Sequence, residues 1–258
     1  MSERLQPQAN ERERLNTLMR DVFIIRPGRA GLWLANQVVA RGSTIGSQVI
    51  YDSSLFPWTK DFEDNWQTVR KELDEVLKNS DSIPQFMDVS NDLRYVNEGQ
   101  DWKTYFFYGL GHKDEAHCEV CPETSRLIGQ VPEITTAFFS IFAPGTTLKP
   151  HRGMYGGFLR YHLGLKVPEP VDSCGIEVDG QTYNWREGES FVFDDSYKHS
   201  AWNNSDSSRV VLFADFKRPL RSPFDAINNK VIDAIGNSSF IKNAMSRYEK
   251  LASGEIPR

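Results

Sequence analysis

Two hydrophobic periods divide the chain. Over residues 56–77, Phe56, Trp58, Phe62, Trp66, Val69, Leu73 and Leu77 recur mostly three and four positions apart, which predicts an amphipathic helix entered at Pro57. A second helix is predicted to begin at Pro122, with Glu123 in its first turn and Leu127, Ile128 and Val131 facing inward. Beyond Glu133 the period drops to two. Residues 134–143 are rich in Thr, Ile and Phe and stop at Pro144-Gly145, and residues 157–167 alternate around Leu159, Tyr161, Leu163 and Leu165. Residues 175–185 are centred on Val178-Asp179-Gly180-Gln181, where Asp-Gly between apolar residues predicts a hairpin whose type I′ turn needs positive φ at both central positions. Arg186-Glu187-Gly188-Glu189 is a further turn, followed by short strands over residues 190–194 and 209–216. Short strands joined by turns favour a closed barrel or double-sheet jelly roll over a parallel α/β sheet. Phe224, Ile227, Val231, Ile232, Ile235, Phe240 and Ile241 return to helical spacing, broken at Gly236, and predict a helical extension packed outside the strands.

Composition narrows the class. The chain has 258 residues, enough for one large domain, and its 16 Phe, 9 Tyr and 6 Trp exclude wholesale disorder. Lys plus Arg number 30 against 35 Asp plus Glu, so the net charge of −5 removes the general electrostatic attraction that nucleic-acid binders use. No apolar run is long enough for an integral membrane segment, and the polar residues 1–20 read as neither secretory signal nor transit peptide. A cytoplasmic location follows as the expectation. The three cysteines, Cys118, Cys121 and Cys174, are too few for an extracellular disulfide framework, so reduced thiols are expected.

Of the five histidines, three lie in the β region. His151 follows Pro150 at the start of the loop His151-Arg152-Gly153-Met154-Tyr155-Gly156-Gly157, and His199 ends the segment Asp194-Asp195-Ser196-Tyr197-Lys198-His199. In a jelly roll such separated strand ends can converge at one mouth, where two neutral imidazoles beside open positions suit iron(II). In Phe158-Leu159-Arg160-Tyr161-His162 a period of two sets Arg160 and His162 on one face and Leu159, Tyr161 and Leu163 on the other. Arg209 opens the apolar strand Val210-Val211-Leu212-Phe213-Ala214, where a charge needs a partner. Two readings stand: an internal salt bridge to Asp194 or Asp215, or an anion pocket in which a guanidinium fork receives a dicarboxylate.

Together these residues carry a resemblance. The blocks Phe139-Ser140-Ile141-Phe142-Ala143-Pro144-Gly145-Thr146, Pro150-His151-Arg152-Gly153, Arg160-Tyr161-His162-Leu163-Gly164-Leu165 and Phe193-Asp194-Asp195-Ser196, with His199 and Arg209, resemble the aspartyl/asparaginyl β-hydroxylase family over about residues 100–220. The resemblance implies an iron(II)- and 2-oxoglutarate-dependent dioxygenase that uses O2, built mainly of β-strands with flanking helices as a double-stranded β-helix, a cupin-like jelly roll. It implies that His151 and His199 are the catalytic iron ligands and that Arg209, with Ser140 beside it, anchors the distal carboxylate of 2-oxoglutarate. Arg160 and His162 are left to the other end of the oxoacid or to a substrate carboxylate, and Asp194 and Asp195 are assigned to holding the turn. Gly153 stands where most such oxygenases place a third, carboxylate ligand; the gap is shared with the family, where water is expected to fill it, and with iron halogenases, which raises halogenation as a second chemistry. Members acting on peptide aspartyl residues carry an arginine where this chain has Phe158. An amino-acid or peptide-like substrate is preferred, and the competing readings are a lipid A-type acyl-chain hydroxylase and a non-catalytic jelly-roll binding protein.

The resulting organisation is a polar segment 1–21, a single oxygenase domain 22–220 with a helical flank 22–133 and a jelly-roll core 134–220, and an extension 221–258 packed on the core. His112, His117, Cys118 and Cys121 are of residue types that bind zinc, and Cys118 and Cys121 are close enough in sequence for a disulfide; ordinary surface residues are the simplest reading. Gly109-Leu110-Gly111 lacks the further glycine of a dinucleotide loop, Trp102 to Tyr108 reads as core packing rather than a base-stacking platform, and Ser140, Ser190 and Ser196 have no nucleophile-elbow context.

Overall fold

The computed structural model describes residues 26–89, 101–109, 112–153 and 155–256, so the polar segment 1–21 lies outside the described residues. Its helices are α1 (Arg26–Gly42), α2 (Thr59–Leu77), α3 (Phe86–Val89), α4 (Glu115–Val120), α5 (Pro122–Ile128), α6 (Phe224–Gly236) and α7 (Ser239–Ala252). Its strands are β1 (Ile50–Tyr51), β2 (Trp102–Gly109), β3 (His112–Lys113), β4 (Ile134–Phe142), β5 (Thr147–His151), β6 (Phe158–Lys166), β7 (Cys174–Val178), β8 (Gln181–Tyr183), β9 (Ser190–Phe193), β10 (His199–Asn203) and β11 (Arg209–Lys217). A seven-stranded sheet runs β1-β9-β6-β11-β4-β2-β3 and a four-stranded sheet β5-β10-β7-β8. Every strand pair is antiparallel, and the two sheets form the expected jelly roll with flanking helices.

The predicted elements are present, with one difference at the domain's front. The region read as helical flank contributes three strands to the large sheet: β1 pairs with β9, β2 with β4, and β3 with β2. The sheet therefore does not start at residue 134. In β2 six of eight residues are buried because both faces are covered, so the alternation that marks a half-exposed strand is missing from the sequence. The predicted hairpin is formed, with Asp179 and Gly180 at φ 49° and 81° and Val178 opposite Gln181.

The large sheet separates two cores. On its outer face Leu159, Tyr161, Leu163 and Leu165 of β6, Val210, Leu212 and Ala214 of β11, and Phe139 and Ile141 of β4 pack with Phe62, Val69 and Leu73 of α2 and with Leu127 and Ile128 of α5. α2 is tied to α5 by Glu72, whose carboxylate accepts the Glu123 and Thr124 N–H groups at 2.8 Å, an anion at a helix N-terminus. On the inner face Phe138 and Phe142 of β4 and Val211 and Phe213 of β11 meet Cys174, Ile176 and Val178 of the small sheet. The C-terminal extension breaks between α6 and α7, where the Ser238 hydroxyl accepts from the Ile241 N–H, and Tyr248 of α7 seats 5.0 Å from the Phe106 ring at the margin of this inner core.

Candidate active site between the two sheets

His151 closes β5 and His199 opens β10, and the antiparallel register sets them opposite each other with ring centroids 4.2 Å apart. His151 Nδ1 lies 2.7 Å from the Lys149 carbonyl oxygen and His199 Nδ1 2.9 Å from that of Tyr197. A carbonyl can only accept, so each Nδ1 carries the hydrogen and donates, which leaves both Nε2 lone pairs free. Burial pushes His199 down to about 3, reinforced by the neighbouring His151 and Arg160, and burial lowers His151 as well. Two neutral imidazoles with free Nε2 atoms and ring centres 4.2 Å apart form a donor set that fits a transition metal.

Gly153, two residues beyond His151, faces Asp195. Its N–H donates to the Asp195 carbonyl at 2.8 Å, and a Cβ placed on residue 153 would overlap the Asp195 carboxylate. A carboxylate from across the mouth thus occupies the room that a side chain on residue 153 would need. Asp195 is buried and held by Arg160 at 3.0 Å, while Arg160 grips Asp215 through Nε and Nη2 at 2.8 and 2.9 Å. Burial pushes the Asp195 carboxyl up to about 6, Arg160 opposing it and Asp215 and Asp194 adding to it. Asp194 holds the turn, as expected: it accepts from the Ser196 N–H at 3.0 Å and pairs with buried Arg218, which also donates to the Gly156 carbonyl at 2.7 Å and to the Tyr51 hydroxyl at 2.6 Å. The two loops that carry the histidines are braced by one guanidinium.

The inner face of the large sheet behind this mouth carries the remaining candidates. Arg209 is 2% exposed and has no carboxylate partner among the described residues, since Asp215 belongs to Arg160 and Asp194 to Arg218. Its guanidinium carbon sits 3.8 Å from the Phe142 ring centre and 4.4 Å from that of Trp185, Nη1 reaches the Ser140 carbonyl at 3.4 Å, and Nε has no partner. Burial pushes Arg209 down to about 9, still protonated at neutral pH. Of the two readings of this residue, the geometry favours the pocket for an anion over the internal salt bridge. The Ser140 hydroxyl accepts from Trp102 Nε1 at 3.0 Å and retains its own hydrogen to donate. His162 is buried among Trp185, Phe191, Phe193 and Phe213, with neither ring nitrogen partnered, and burial beside Arg160 and Arg209 lowers it well below the usual histidine range. His162 and Arg209 line one interior, whereas Arg160, offered from sequence to the oxoacid, is committed to two carboxylates.

Two residues of this site escape the sequence reading. Asp195 reads along the chain as a turn residue because its contact with Gly153 spans two loops far apart in sequence, and Trp185 carries no local signal. Gly164 brings Trp185 in: the Arg186 carbonyl closes on Gly164 where a Cβ would stand, and Gly188 N–H donates to the Gly164 carbonyl at 2.9 Å. Elsewhere, Cys118, Cys121 and Cys174 are buried free thiols, and His117 stacks 3.8 Å from Tyr105. Among the described residues no group of three or more His, Cys, Asp or Glu side chains is arranged to hold a metal, and no helix is long and apolar enough to cross a membrane.

Residues 63–219 match the family model described as Aspartyl/Asparaginyl beta-hydroxylase. An ornithine lipid ester-linked acyl 2-hydroxylase of Rhizobium tropici is 42% identical over 206 residues, covering 80% of this chain and 73% of the relative. Human aspartyl/asparaginyl beta-hydroxylase is 32% identical over 169 residues, covering 64% of this chain but only 21% of that protein, so the chain spans about a fifth of its length. A solved Pseudomonas putida prolyl-4-hydroxylase aligns with a TM-score of 0.39 at 14% identity, over 60% of this chain and 88% of that one. The matched model takes in the two histidines, Gly153, Asp195, Arg209 and Trp185, and the chain belongs to the aspartyl/asparaginyl β-hydroxylase family, a family of hydroxylases.

Proposed function

We propose that the protein is an iron(II)- and 2-oxoglutarate-dependent hydroxylase acting on a carbon of an ester-linked acyl chain in an amino-acid-containing lipid. The observation that carries the chemistry is the pairing, across one interior, of two histidines with free Nε2 atoms and a buried guanidinium without a counter-charge. His151 and His199 would hold the metal, which, with 2-oxoglutarate and O2, converts a C–H bond to C–OH while releasing succinate and CO2. Arg209 receives the distal carboxylate of the co-substrate and the Ser140 hydroxyl donates to it, a charge-assisted contact sheltered from water. His162 donates from one ring nitrogen to the same molecule. Asp195, fixed by Arg160, sets its carboxylate in the room that a side chain on Gly153, two residues beyond His151, would need, and Arg160 is therefore a positioning residue. That a carboxylate fills this room supports hydroxylation over halogenation, because a chloride there would meet like charge.

For the substrate, similarity to an acyl 2-hydroxylase over most of both chains favours a lipid over the amino-acid or peptide-like substrate preferred from the sequence. Phe158 supports this: it packs half-buried against Tyr155, with ring centres 6.1 Å apart, and offers apolar surface where peptide-acting members are expected to carry a cation. The test is an anaerobic titration of metal-free protein with iron(II) and then 2-oxoglutarate, followed by its visible charge-transfer band, in wild type and in His151→Ala and His199→Ala. A band in wild type alone is the expected result; a band retained in either variant overturns the ligand assignment. Mass spectrometry of products then compares an ornithine lipid with a free amino acid and an aspartyl peptide, and hydroxylation of the peptide alone overturns the lipid reading.

A further inference from the structure

We propose that Trp185 is a binding residue for the co-substrate, its indole Nε1–H donating to the same carboxylate that Arg209 holds. The inference rests on the 2-oxoglutarate reading above and adds a donor that nothing in the sequence marks.

Trp185 is 2% exposed and its Nε1 has no partner among the described residues, although a buried indole N–H normally finds an acceptor. It is not isolated. Its ring lies 4.4 Å from the Arg209 guanidinium carbon and 5.9 Å from the His162 ring, and both of those residues also carry buried nitrogens without partners. Three side chains with unpartnered nitrogens, from three separate elements, β6, β11 and the turn after β8, therefore lie against one another. Unsatisfied donors that converge around an uncompensated cation are arranged for an anion with several acceptor oxygens, and a carboxylate supplies them. Phe142 on one side and Trp185 on the other hold the guanidinium between two rings, which limits where its free N–H groups can point. The close approach at Gly164 fixes the Trp185 turn against β6. The competing role is core filling, in which the ring matters and the N–H does not.

Trp185→Phe separates the two roles, because it keeps an aromatic ring against Arg209 and removes the donor. Dissociation constants are measured from the visible band of anaerobic iron(II)-loaded protein, for 2-oxoglutarate and for 2-oxopentanoate, which keeps the chelating end and lacks the distal carboxylate. Loss of one hydrogen bond to a charged group raises the 2-oxoglutarate constant by about 10- to 100-fold. The 2-oxopentanoate constant stays within about twofold of wild type. An unchanged 2-oxoglutarate constant, or equal weakening of both acids, overturns the proposal. No band in wild-type protein takes down the parent reading and this inference together, whereas a wild-type band with an unchanged Trp185→Phe constant takes down this inference alone. A measurement on wild-type protein removes the dependence on the variant's folding. With zinc(II) in place of iron and 15N-labelled tryptophan, two of the six indole N–H resonances are expected to move with 2-oxoglutarate and not with 2-oxopentanoate, Trp185 by direct contact and Trp102 through the Ser140 hydroxyl to which it donates. Fewer than two such resonances refute the contact.

Discussion

The outer and inner faces of the seven-stranded sheet are made by alternate residues of the same strands, yet they obey different rules. In β6 Leu159, Tyr161 and Leu163 pack outward against helices while Arg160 and His162 point inward, and in β11 Val210, Leu212 and Ala214 oppose Arg209 and Phe213. Among the described residues, five of the six buried side-chain atoms without a hydrogen-bond partner lie on the inner side, on Thr104, His162, Trp185 and Arg209, and Tyr161 carries the sixth. Apart from the Tyr161 hydroxyl, the outer face is finished by folding alone. The inner face is left with donors and a cation that folding does not satisfy, and such groups persist because the outer core supplies the stability they lack.

That contrast can be broken by substitution. The largest effect is expected at the mouth: His199→Ala or His151→Ala abolishes iron binding and turnover, while circular dichroism and thermal melting stay near wild type, and retained turnover refutes the assignment. Next, Arg209→Met is expected to weaken 2-oxoglutarate binding by about 10- to 100-fold. The same change raises the melting temperature of the metal-free protein, because a buried charge without a partner is replaced by an apolar side chain of similar length. An unchanged 2-oxoglutarate affinity with a lower melting temperature would show that Arg209 stabilises the fold rather than the ligand.

On the outer face the signs reverse. Leu163→Ala is expected to cost about 2–5 kcal/mol in denaturant unfolding with kcat unchanged at temperatures where the variant is folded. Gly153→Ala, at the boundary, is expected to cost about 1–3 kcal/mol by overpacking. Adding Asp195→Ala relieves the clash, so a double-mutant cycle of unfolding free energies reads their coupling, and additive costs would mean that the two do not touch.

The smallest effect is in pH dependence. Burial holds His162 neutral well below its ordinary value of 6.5, so the unfolded chain takes up protons there that the folded chain does not. Its contribution is fully present above about pH 6.5 and is lost as pH falls below it. His162→Phe should flatten the acid-side decline in melting temperature of the metal-free protein; an unchanged slope would place a partner or water on that ring.

Much of the fold is legible in the sequence. The helical period of Phe62, Val69 and Leu73, the Asp179-Gly180 turn and the two-faced β6 follow from local backbone geometry, and each is formed as expected. β2 is not legible, because burial on both faces erases the alternation by which a strand is recognised. The candidate histidines are visible as residue types at strand ends, but their pairing is not, since His151 and His199 meet only through the β5–β10 register.

What the sequence determined by itself is the helical period over residues 56–77, the Asp179-Gly180 turn, the two-faced strand and the family to which the chain belongs. Which charge is paired was decided by tertiary structure alone. Arg160 and Arg209 look alike along the chain, yet one is gripped by Asp195 and Asp215 and the other lies between Phe142 and Trp185 with no acid in reach among the described residues. Asp195 fills the space beside Gly153, and Trp185 reaches Arg209, through approaches of segments distant in sequence. The physical reason is that periodicity is a property of one strand's backbone, whereas ion pairing and burial depend on which strands are laid against it and in what register.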